Sequence, residues 1–456
     1  MNGPTTRGYP GMTTALSRFA RIGGNQGGIL PGMLVSVAAV EGEPYLRSAT
    51  AAMPQYHRLA MNDPHMQMQY HLAGYGVTNE EAVTRLTGEA VERYAAIMAM
   101  PLFQERVEYA SYRSLSSRHP CMPLELLGVF EEDQQRRIAG MMHQYSPEPP
   151  TEDDVIAWIA CPSLTRPGQD VYVPAQLVFL GFRNSGLHGD KMFTPSFSTG
   201  TAAHVSLDKA LLGALVEAVQ IDAFILNWYT DAKAPVLDLD LDADGRELLA
   251  ASGLPADGPY DVRATYLTRP ELPLPNIGIT LVRRDRKLPH IAFGLQADPD
   301  PRYALLRGSA EATTILGIGM FSTVFDLPNV HFAQHKSAYT DLDTNVLYFA
   351  GPGDAEQKLA VVESRTDGRL DFGALPAYAA DDRSAIRRLL SDLAGVSEWA
   401  SYLDITPPEL ADTPWKVVRV LIPELLSMCL PGFPAGRHPR MRAYGGVTNV
   451  VPHPLP

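Results

Sequence analysis

A short internal repeat is the sequence feature that most limits how this chain can fold. The segment Gly88–Arg93 (GEAVER) matches Val216–Ile221 (VEAVQI), and Ala310–Ile315 (AEATTI) is a fainter third copy. The copies lie too far apart for the stacked units of a solenoid, so the repeat predicts a pseudo-symmetric fold. A match this brief also arises by chance, and on its own the repeat leaves both interpretations open.

Each copy lies on a well-marked helix. Capping residues and acidic first turns predict helices over 79–98 and 206–228, and Pro301 after Asp300 predicts a third over 300–317. Apolar runs between the helices predict strands. They are Val155–Leu164, Tyr172–Phe182, Ile277–Arg284, Val346–Gly351 and Val417–Pro423. The mixture of helices and strands indicates an α/β or α+β fold with a sizeable sheet.

Composition excludes several classes of protein. The chain has 456 residues and a formal net charge of −13, which opposes binding to nucleic acid or to an anionic membrane surface. Its three cysteines are scattered, as in a protein of the reducing cytoplasm. The N-terminus lacks the pattern of a signal peptide, and the apolar run Ile29–Val40 is too short to span a bilayer. We therefore expect a cytoplasmic protein.

The chain has no GxxxxGK[ST] sequence, so any nucleotide is not held by a P-loop.

Paired acidic residues are the strongest candidates for chemistry. Glu89 and Glu92 are three residues apart, which places both carboxylates on one helical face, and Glu217 and Gln220 repeat the spacing. Such oxygen ligands suit Mg²⁺, which completes its shell with water and phosphate oxygens, and Arg93 could hold a phosphate. A single pair of this kind is usually a solvated polar stripe. However, Glu217 lies in a largely apolar helix, where a carboxylate should be paired or bound to a ligand.

The chain ends in alternating prolines, Pro452-His453-Pro454-Leu455-Pro456. This pattern favours a stiff polyproline II segment. A C-terminus is usually frayed, but a stiff one could instead be threaded into a site.

Four segments together resemble the YcaO family, specifically the cyclodehydratases that mature azole-containing peptides. They are Gly74–Tyr94, Ser198–Phe224, Phe293–Ala312 and the terminal VVPHPLP, in the order of the family's motifs. The resemblance implies an α+β fold of mixed sheets and packed helices, pseudo-repeated, that binds ATP without a Walker motif. It also implies a lead-in segment over residues 1–60 and a YcaO domain over 61–456 that includes the PxPxP tail.

The resemblance implies a function as well. Such enzymes convert Cys, Ser or Thr of a ribosomally made precursor peptide to azolines, using ATP and Mg²⁺. The expected partners are the precursor, a leader-peptide-binding protein, and a dehydrogenase or second YcaO protein; a homodimer is also expected. By position, the Mg²⁺ ligands are Glu89, Glu92 and Glu217, and the residues toward the nucleotide are those three with Arg93, Lys209 and Gln220. Pro452, Pro454 and Pro456 would order the C-terminus at the catalytic site.

The chain also departs from the family pattern. Arg85 replaces a serine, Lys209 and Gln220 replace acidic residues, and Val205 and Thr314 replace polar residues. ATP and Mg²⁺ binding could therefore be lost. The alternatives are a catalytically degenerate scaffold or peptide-binding subunit, and a relative that forms thioamides.

Overall fold

The structure is a computed structural model, and it describes residues 8–24, 27–36, 42–61, 71–184, 186–239, 243–285 and 287–456. Residues 37–40 of the apolar run predicted not to span a bilayer therefore lie outside the described residues. Parts of the predicted lead-in segment, and residues 62–70 at the start of the predicted YcaO domain, lie outside them too.

The described strands form four separate sheets. In chain order they are β1 Leu34–Ser36, β2 Arg47–Ala52, β3 His71–Gly76, β4 Val107–Ser111, β5 Val155–Pro162, β6 Asp170–Pro174, β7 Thr201–His204, β8 Ala234–Asp238, β9 Tyr260–Tyr266, β10 Asn276–Arg283, β11 Ile291–Ala297, β12 Thr366–Asp371, β13 Ser401–Asp404 and β14 Lys416–Leu421. The sheets have the orders β1-β2-β3, β4-β5-β6, β13-β14-β7 and β11-β10-β9-β8-β12. The β8–β12 pair is parallel, and the other pairs are antiparallel.

Helices cover the faces of these sheets. In chain order they are α1 Met12–Ala20, α2 Tyr56–Ala60, α3 Asn79–Phe103, α4 Tyr112–Ser116, α5 Glu132–Met141, α6 Ala175–Val178, α7 Leu207–Tyr229, α8 Ala243–Ala251, α9 Pro301–Phe325, α10 Leu327–Ala333, α11 Thr344–Ala350, α12 Ala355–Ser364, α13 Asp382–Leu393 and α14 Pro439–Ala443. The mixture of antiparallel sheets and packed helices confirms the expected α+β class.

The three predicted helices are confirmed, and they are the three longest described. The first helix is capped by Thr78, one residue before its predicted start, because the Thr78 hydroxyl accepts the backbone N–H of Glu81. The first and third continue further than predicted, to Phe103 and Phe325. Pro101 does not stop the first helix, but the helix ends within its next turn.

The strand prediction at Val346–Gly351 is wrong, because this segment belongs to α11. Val346, Leu347, Phe349 and Ala350 are buried, and such a short apolar run fits a buried helix as well as a buried strand. The strand predicted over Tyr172–Phe182 ends early, at Pro174.

Three strand–helix units form the centre of the fold, each with one long helix against a strand that precedes it. They are β3–α3, β7–α7 and β11–α9. In two units a glycine lets the strand approach its helix closely: a Cβ on Gly74 would overlap the Ala82 carbonyl, and one on Gly294 would overlap the Gly308 carbonyl. The internal repeat of the sequence therefore corresponds to a repeated structural unit.

The middle helix of this set, α7, is apolar nearly all round. By length and composition it could cross a bilayer, but 78% of that stretch is buried inside the fold. A helix with apolar residues on every face is expected where it packs in a core, as α7 does.

Candidate functional site

Three glutamates occupy equivalent positions on α3, α7 and α9. Glu89, Glu217 and Glu311 each accept a hydrogen bond from a backbone N–H just before or within the preceding strand. The donors are Ala73, Gly200 and Leu295, with N–O distances of 3.0, 3.0 and 2.5 Å respectively. A hydrogen bond to a carboxylate is charge-assisted, so each one fixes its side chain firmly against its own strand. The three copies of the sequence repeat thus place the same group in the same local setting.

Burial makes this carboxylate set electrostatically unfavourable. Burial raises the pKa of Glu89, of Glu217 and of Glu311, the last to about 7. Glu92, one turn after Glu89, also has a raised pKa, first because of burial and then because of the nearby carboxylates of Glu217 and Glu89. Carboxylates that repel one another in a buried place are stabilised by a cation or by protonation.

Two arginines supply part of the missing positive charge. Arg93 lies 3.8 Å from the Glu92 carboxylate and lowers the pKa of Glu89, Glu92 and Glu217. Arg419 of β14 is buried and is held by hydrogen bonds. Its acceptors are Thr199 O at 2.7 Å, Leu177 O at 2.8 Å and Thr201 Oγ1 at 2.9 Å. Burial lowers the pKa of Arg419 to about 10, while the Glu217 and Glu92 charges act against that decrease.

The described residues do not form a ready-made metal cage. Among them, no group of three or more His, Cys, Asp or Glu side chains is arranged to hold a metal ion by itself. The four glutamates nevertheless fit Mg²⁺ by donor chemistry, because Mg²⁺ is usually held by one or two carboxylates together with water and phosphate oxygens. A site of this kind would be completed by its nucleotide.

Arg85, which replaces a serine in the expected motif, joins a network beside the glutamates. Its guanidinium donates to the Glu81 carboxylate at 3.2 Å, and Arg307 of α9 donates to the same carboxylate at 2.9 Å. Arg307 also lies over the ring of Tyr75, 4.6 Å from its centroid. The other acceptors of Arg85 are the phenol oxygens of Tyr9 at 2.6 Å and Tyr303 at 3.0 Å. Arg85 thus links the N-terminal segment to α3 and α9.

Gln220 stands at the position equivalent to Glu92, but it is engaged with the protein. Its amide oxygen accepts the backbone N–H of Ala297 at 2.6 Å and the side-chain amide of Gln296 at 3.2 Å. Thr314, the equivalent residue on α9, donates to the Ala310 carbonyl of its own helix. The acidic partner three residues after the first glutamate is therefore present in one unit of the three.

Lys209 is not brought together with the glutamates. It lies in the first turn of α7, about 12 Å along the axis from Glu217 at 1.5 Å per residue. Its side chain is half exposed, and its ammonium lies 3.5 Å from Asp382 at the start of α13. The structure therefore places the charge of Lys209 away from the carboxylates, whereas the resemblance implies a position beside the nucleotide.

The C-terminal tail is ordered and mostly buried. Pro452, His453, Pro454 and Leu455 are buried, and Pro456 is exposed. Asn345 of α11 donates to the carbonyls of both His453 and Leu455, each at 2.7 Å. The indole N–H of Trp228 donates to the Val451 carbonyl, and the His453 N–H donates to the Tyr229 hydroxyl. The structure thus excludes the frayed tail that was the alternative.

The tail also lies beside the third strand–helix unit. Leu455 and the β11 residues Gly294 and Leu295 line one small, partly open cleft. Leu295 is the residue whose N–H binds Glu311, so the tail contacts a space bounded by the strand that positions this glutamate. A second, larger cleft lies beside Arg419 and Thr199.

Residues 73–426 match the family model described as YcaO cyclodehydratase, ATP- and Mg²⁺-binding. The chain belongs to the YcaO family. Binding of ATP and Mg²⁺ is a property of this family. Comparison with curated protein sequences gave no match.

Solved structures share the fold of this YcaO chain at low sequence identity. A heterocyclase in complex with substrate and cofactor is 17% identical, with a TM-score of 0.70, covering 100% of this chain and 59% of the other. YcaO from Methanopyrus kandleri, bound with AMPPCP and Mg²⁺, is 16% identical, with a TM-score of 0.57, and the match covers 99% of this chain and 98% of the other. A chain of the Escherichia coli microcin synthetase McbBCD complex with pro-MccB17 bound is 14% identical, with a TM-score of 0.54, and the match covers 86% of this chain and 88% of the other. This chain therefore spans 59% of the length of the first of these chains, which is less than two thirds.

Several residues in and around the candidate site were not predicted from the sequence. Glu311 is not among the predicted site residues, although the third copy of the repeat places it in register with Glu89 and Glu217. No sequence signal indicated Arg307 or Arg419, because the contacts that bring them to the site span hundreds of residues. Asn345 was missed for the same reason.

Proposed function

We propose that this chain is an ATP-dependent peptide backbone cyclodehydratase that forms azolines in a ribosomally made precursor peptide. The observation that carries the proposal is the set of glutamates Glu89, Glu217 and Glu311, each fixed by a hydrogen bond from a backbone amide, with Arg93 near Glu89 and Glu217 and Arg419 near Glu217. The pKa of each of the three carboxyl groups is raised, so the set would be stabilised by a cation, and the YcaO family binds Mg²⁺ and ATP.

The chain's own residues would divide the work. Glu89, Glu92, Glu217 and Glu311 would hold Mg²⁺, and Arg93 would bind phosphate oxygens as a bidentate donor. ATP would supply a phosphoryl group to the peptide carbonyl oxygen after a Cys, Ser or Thr side chain has attacked the carbonyl carbon; the oxygen would then leave as phosphate, and the amide nitrogen would lose its proton as the C=N bond forms. The tail residues Pro452, Pro454 and Pro456 would order the C-terminus next to β11.

Partner proteins belong to the same proposal. A structural neighbour is a multi-protein synthetase complex with its precursor bound. We propose that this chain likewise acts in the cytoplasm on a precursor presented by a leader-peptide-binding partner, with a dehydrogenase or a second YcaO protein as a further subunit.

The test is reconstitution with the cognate precursor and its leader-binding partner. We expect ADP and phosphate release, and loss of one water per ring by mass spectrometry. The variant Glu217→Gln keeps an acceptor for the Gly200 N–H but removes the charge, so it should fold and lose Mg·ATP binding by calorimetry. Glu132→Gln, on the exposed face of α5, is the matched control and should bind like the parent. Full Mg·ATP affinity in Glu217→Gln would contradict the assignment.

A degenerate scaffold is the second candidate, and one observation favours it. The side chains of Gln220 and Thr314 are hydrogen-bonded within the protein, so two units lack the second carboxylate that Glu92 provides in the first. If the parent chain bound no Mg·ATP and changed no precursor mass, the scaffold function would replace the proposal. A thioamide-forming activity would appear instead as a mass gain that fits sulfur in place of oxygen.

A further inference from the structure

The larger of the two clefts adjoins the glutamate site at two points of the chain. Gly200 donates its N–H to Glu217, and the sequence neighbours of this pair, Thr199 and Ala218, both line the cleft. Arg419 lines the cleft as well, and its pKa responds to the charge of Glu217. A group bound in this cleft would therefore lie beside one of the candidate Mg²⁺ ligands.

Most of the wall of this cleft is apolar. Its apolar side chains come mainly from the segment before α5, the segment before β7 and the loop after β14, and they include Leu126, Val129, Phe130, Phe197, Leu425 and Met428. Ser427 is exposed and Met428 is partly exposed, so the cleft is open to solvent on the side of this loop. Such walls favour an apolar ligand, because burying its surface removes that surface from water.

Four polar side chains of the cleft wall are already engaged within the protein. The guanidinium of Arg419 donates to three protein oxygens. The Thr199 hydroxyl accepts a backbone N–H of the loop after β14 at 3.3 Å, and the Ser196 hydroxyl donates to a backbone carbonyl at 3.0 Å. His438 is hydrogen-bonded to a backbone carbonyl at 2.9 Å, and burial lowers its pKa to about 4, so its ring is neutral at pH 7. A charged ligand would therefore lose its hydration and gain few new partners here.

We propose that this cleft binds an apolar side chain of the precursor peptide, that of the residue immediately before the Cys, Ser or Thr that forms the ring. The inference rests on the proposed cyclodehydratase function, and it adds which residue of the peptide the chain selects. The carbonyl that reacts belongs to this preceding residue, whose side chain begins two bonds from the carbonyl carbon. A carbonyl held beside Glu217 for phosphorylation therefore has this side chain within reach of Thr199 and Ala218, where the cleft begins.

The expected effect is selectivity between precursors. Burying a Leu or Phe side chain in an apolar site strengthens binding by roughly 10–100-fold over a side chain that stays in water. A charged side chain at the same position would lose this gain and would also be desolvated. The chain should therefore modify a ring-forming residue that follows Leu or Phe much faster than one that follows Asp or Lys.

A photoreactive peptide tests where the side chain binds without requiring catalysis. The probe is acetyl-Gly-photoleucine-Cys-Gly-amide at millimolar concentration, irradiated with the full chain under reducing conditions and mapped by mass spectrometry of tryptic peptides. We expect adducts on residues 194–199 or 422–428. Excess acetyl-Gly-Leu-Cys-Gly-amide should compete, whereas the same peptide with Asp in place of Leu should not. Mg·ATP should leave the adducts in place, and a probe with photoleucine after the Cys should label these segments roughly 10-fold less.

Variants that change the size of the cleft test its role in selectivity. Ala435→Leu narrows the cleft at a partly exposed position and should lower the yield of adducts about 10-fold, whereas Ala394→Leu makes the same change at an exposed position and should label like the parent. In the reconstituted reaction, Ala435→Leu should also lower the ratio of kcat/KM for precursors with Leu and with Ala before the ring-forming residue about 10-fold. Met428→Ala widens the cleft and should shift selectivity the other way, toward Phe. A simple loss of folded protein would lower every kcat/KM value and leave these ratios unchanged.

Several outcomes would overturn the proposal. Adducts that are absent or confined to other segments would contradict it, and adducts that Mg·ATP abolishes would assign the cleft to the nucleotide. Selectivity ratios that stay at the parent value in both Ala435→Leu and Met428→Ala would contradict it as well. Azoline formation with unchanged selectivity would thus refute the cleft and leave the cyclodehydratase function standing. Labelling of the cleft by a chain that forms no azoline would refute that function and leave the peptide-binding cleft standing.

Discussion

Replacing Glu311 by glutamine should stabilise the ligand-free protein and at the same time remove ligand binding. The amide oxygen of glutamine can still accept the Leu295 N–H, so the hydrogen bond that positions the side chain is kept. What the substitution removes is a carboxylate that burial makes costly to ionise, with the Glu217 charge adding to that cost. An ordinary surface glutamate would give no such gain.

The magnitude follows from the pKa. The pKa of Glu311 rises from 4.5 to about 7 in the folded protein. Below about pH 4.5 the group is protonated whether the chain is folded or unfolded, and it has no net effect. As the pH rises toward 7, the unfolded chain loses this proton more readily than the folded one, so the folded state loses stability. Each pKa unit corresponds to about 1.4 kcal/mol, so the parent should lose about 3 kcal/mol from this group by pH 8.

Urea unfolding of parent and variant across this pH range measures the effect. The two free energies of unfolding should converge near pH 4.5, and Glu311→Gln should be more stable by about 3 kcal/mol at pH 8. Adding Mg·ATP should then stabilise the parent by mass action and leave the variant unchanged. Glu132→Gln should follow the parent at every pH.

The pH dependence of the difference in stability between parent and Glu311→Gln tests this reasoning. A difference between parent and variant that stays constant with pH would mean that the substitution changes packing and not ionisation. A variant less stable than the parent at pH 8 without ligand would show that the Glu311 carboxylate is stabilised by the fold, which is the opposite of the reasoning above.

Three further predictions concern the tail, the strand–helix contact and the lysine. Asn345→Ala leaves the His453 and Leu455 carbonyls without their donor and should lower the free energy of unfolding by about 2–3 kcal/mol in urea, whereas an unchanged value would mean that the tail is not held there. Gly74→Ala should destabilise by about 1–3 kcal/mol by the same measurement because β3 must move from α3, while Gly140→Ala, which has open space, should be neutral or slightly stabilising. Lys209→Ala should leave the affinity for Mg·ATP within twofold by calorimetry, because Lys209 lies about 12 Å along the helix axis from Glu217 and its ammonium is beside Asp382. A tenfold loss of affinity would place Lys209 at the nucleotide.

The sequence was informative where local chemistry decides structure. Caps and first-turn acids located the three long helices to within a few residues at their starts, because those signals act inside one turn. Helix ends were harder to predict. The last turns of α9, as far as Phe325, expose apolar residues to solvent. No contact with the core therefore marks where this helix ends. The helical state of Val346–Gly351 depends on burial by distant segments, which a short apolar run does not encode.

Site residues with a local sequence pattern could likewise be predicted, and those placed by distant contacts could not. Glu89, Glu92 and Glu217 could be singled out from spacing on one helix, and the structure places them in one electrostatic cluster. Arg419 was invisible, because a buried arginine on a strand carries no local pattern and its role depends on carbonyls from a distant part of the chain. The resemblance implies a place for Lys209 beside the nucleotide, but in the structure its ammonium lies beside Asp382, because position in a motif does not give the direction of a long side chain near a helix end.

The asymmetry of the site arises from the position three residues after each repeated glutamate. Glu92 there adds a further carboxylate to the cluster, while Gln220 holds α7 to β11 and Thr314 bonds to its own helix. The pKa of Glu92 is raised to about 8, so a further carboxylate at 220 or 314 would meet the same cost of burial and of repulsion by neighbouring carboxylates. The amide of Gln220 and the hydroxyl of Thr314 instead make hydrogen bonds within the protein, and they limit the negative charge that a bound cation would have to neutralise.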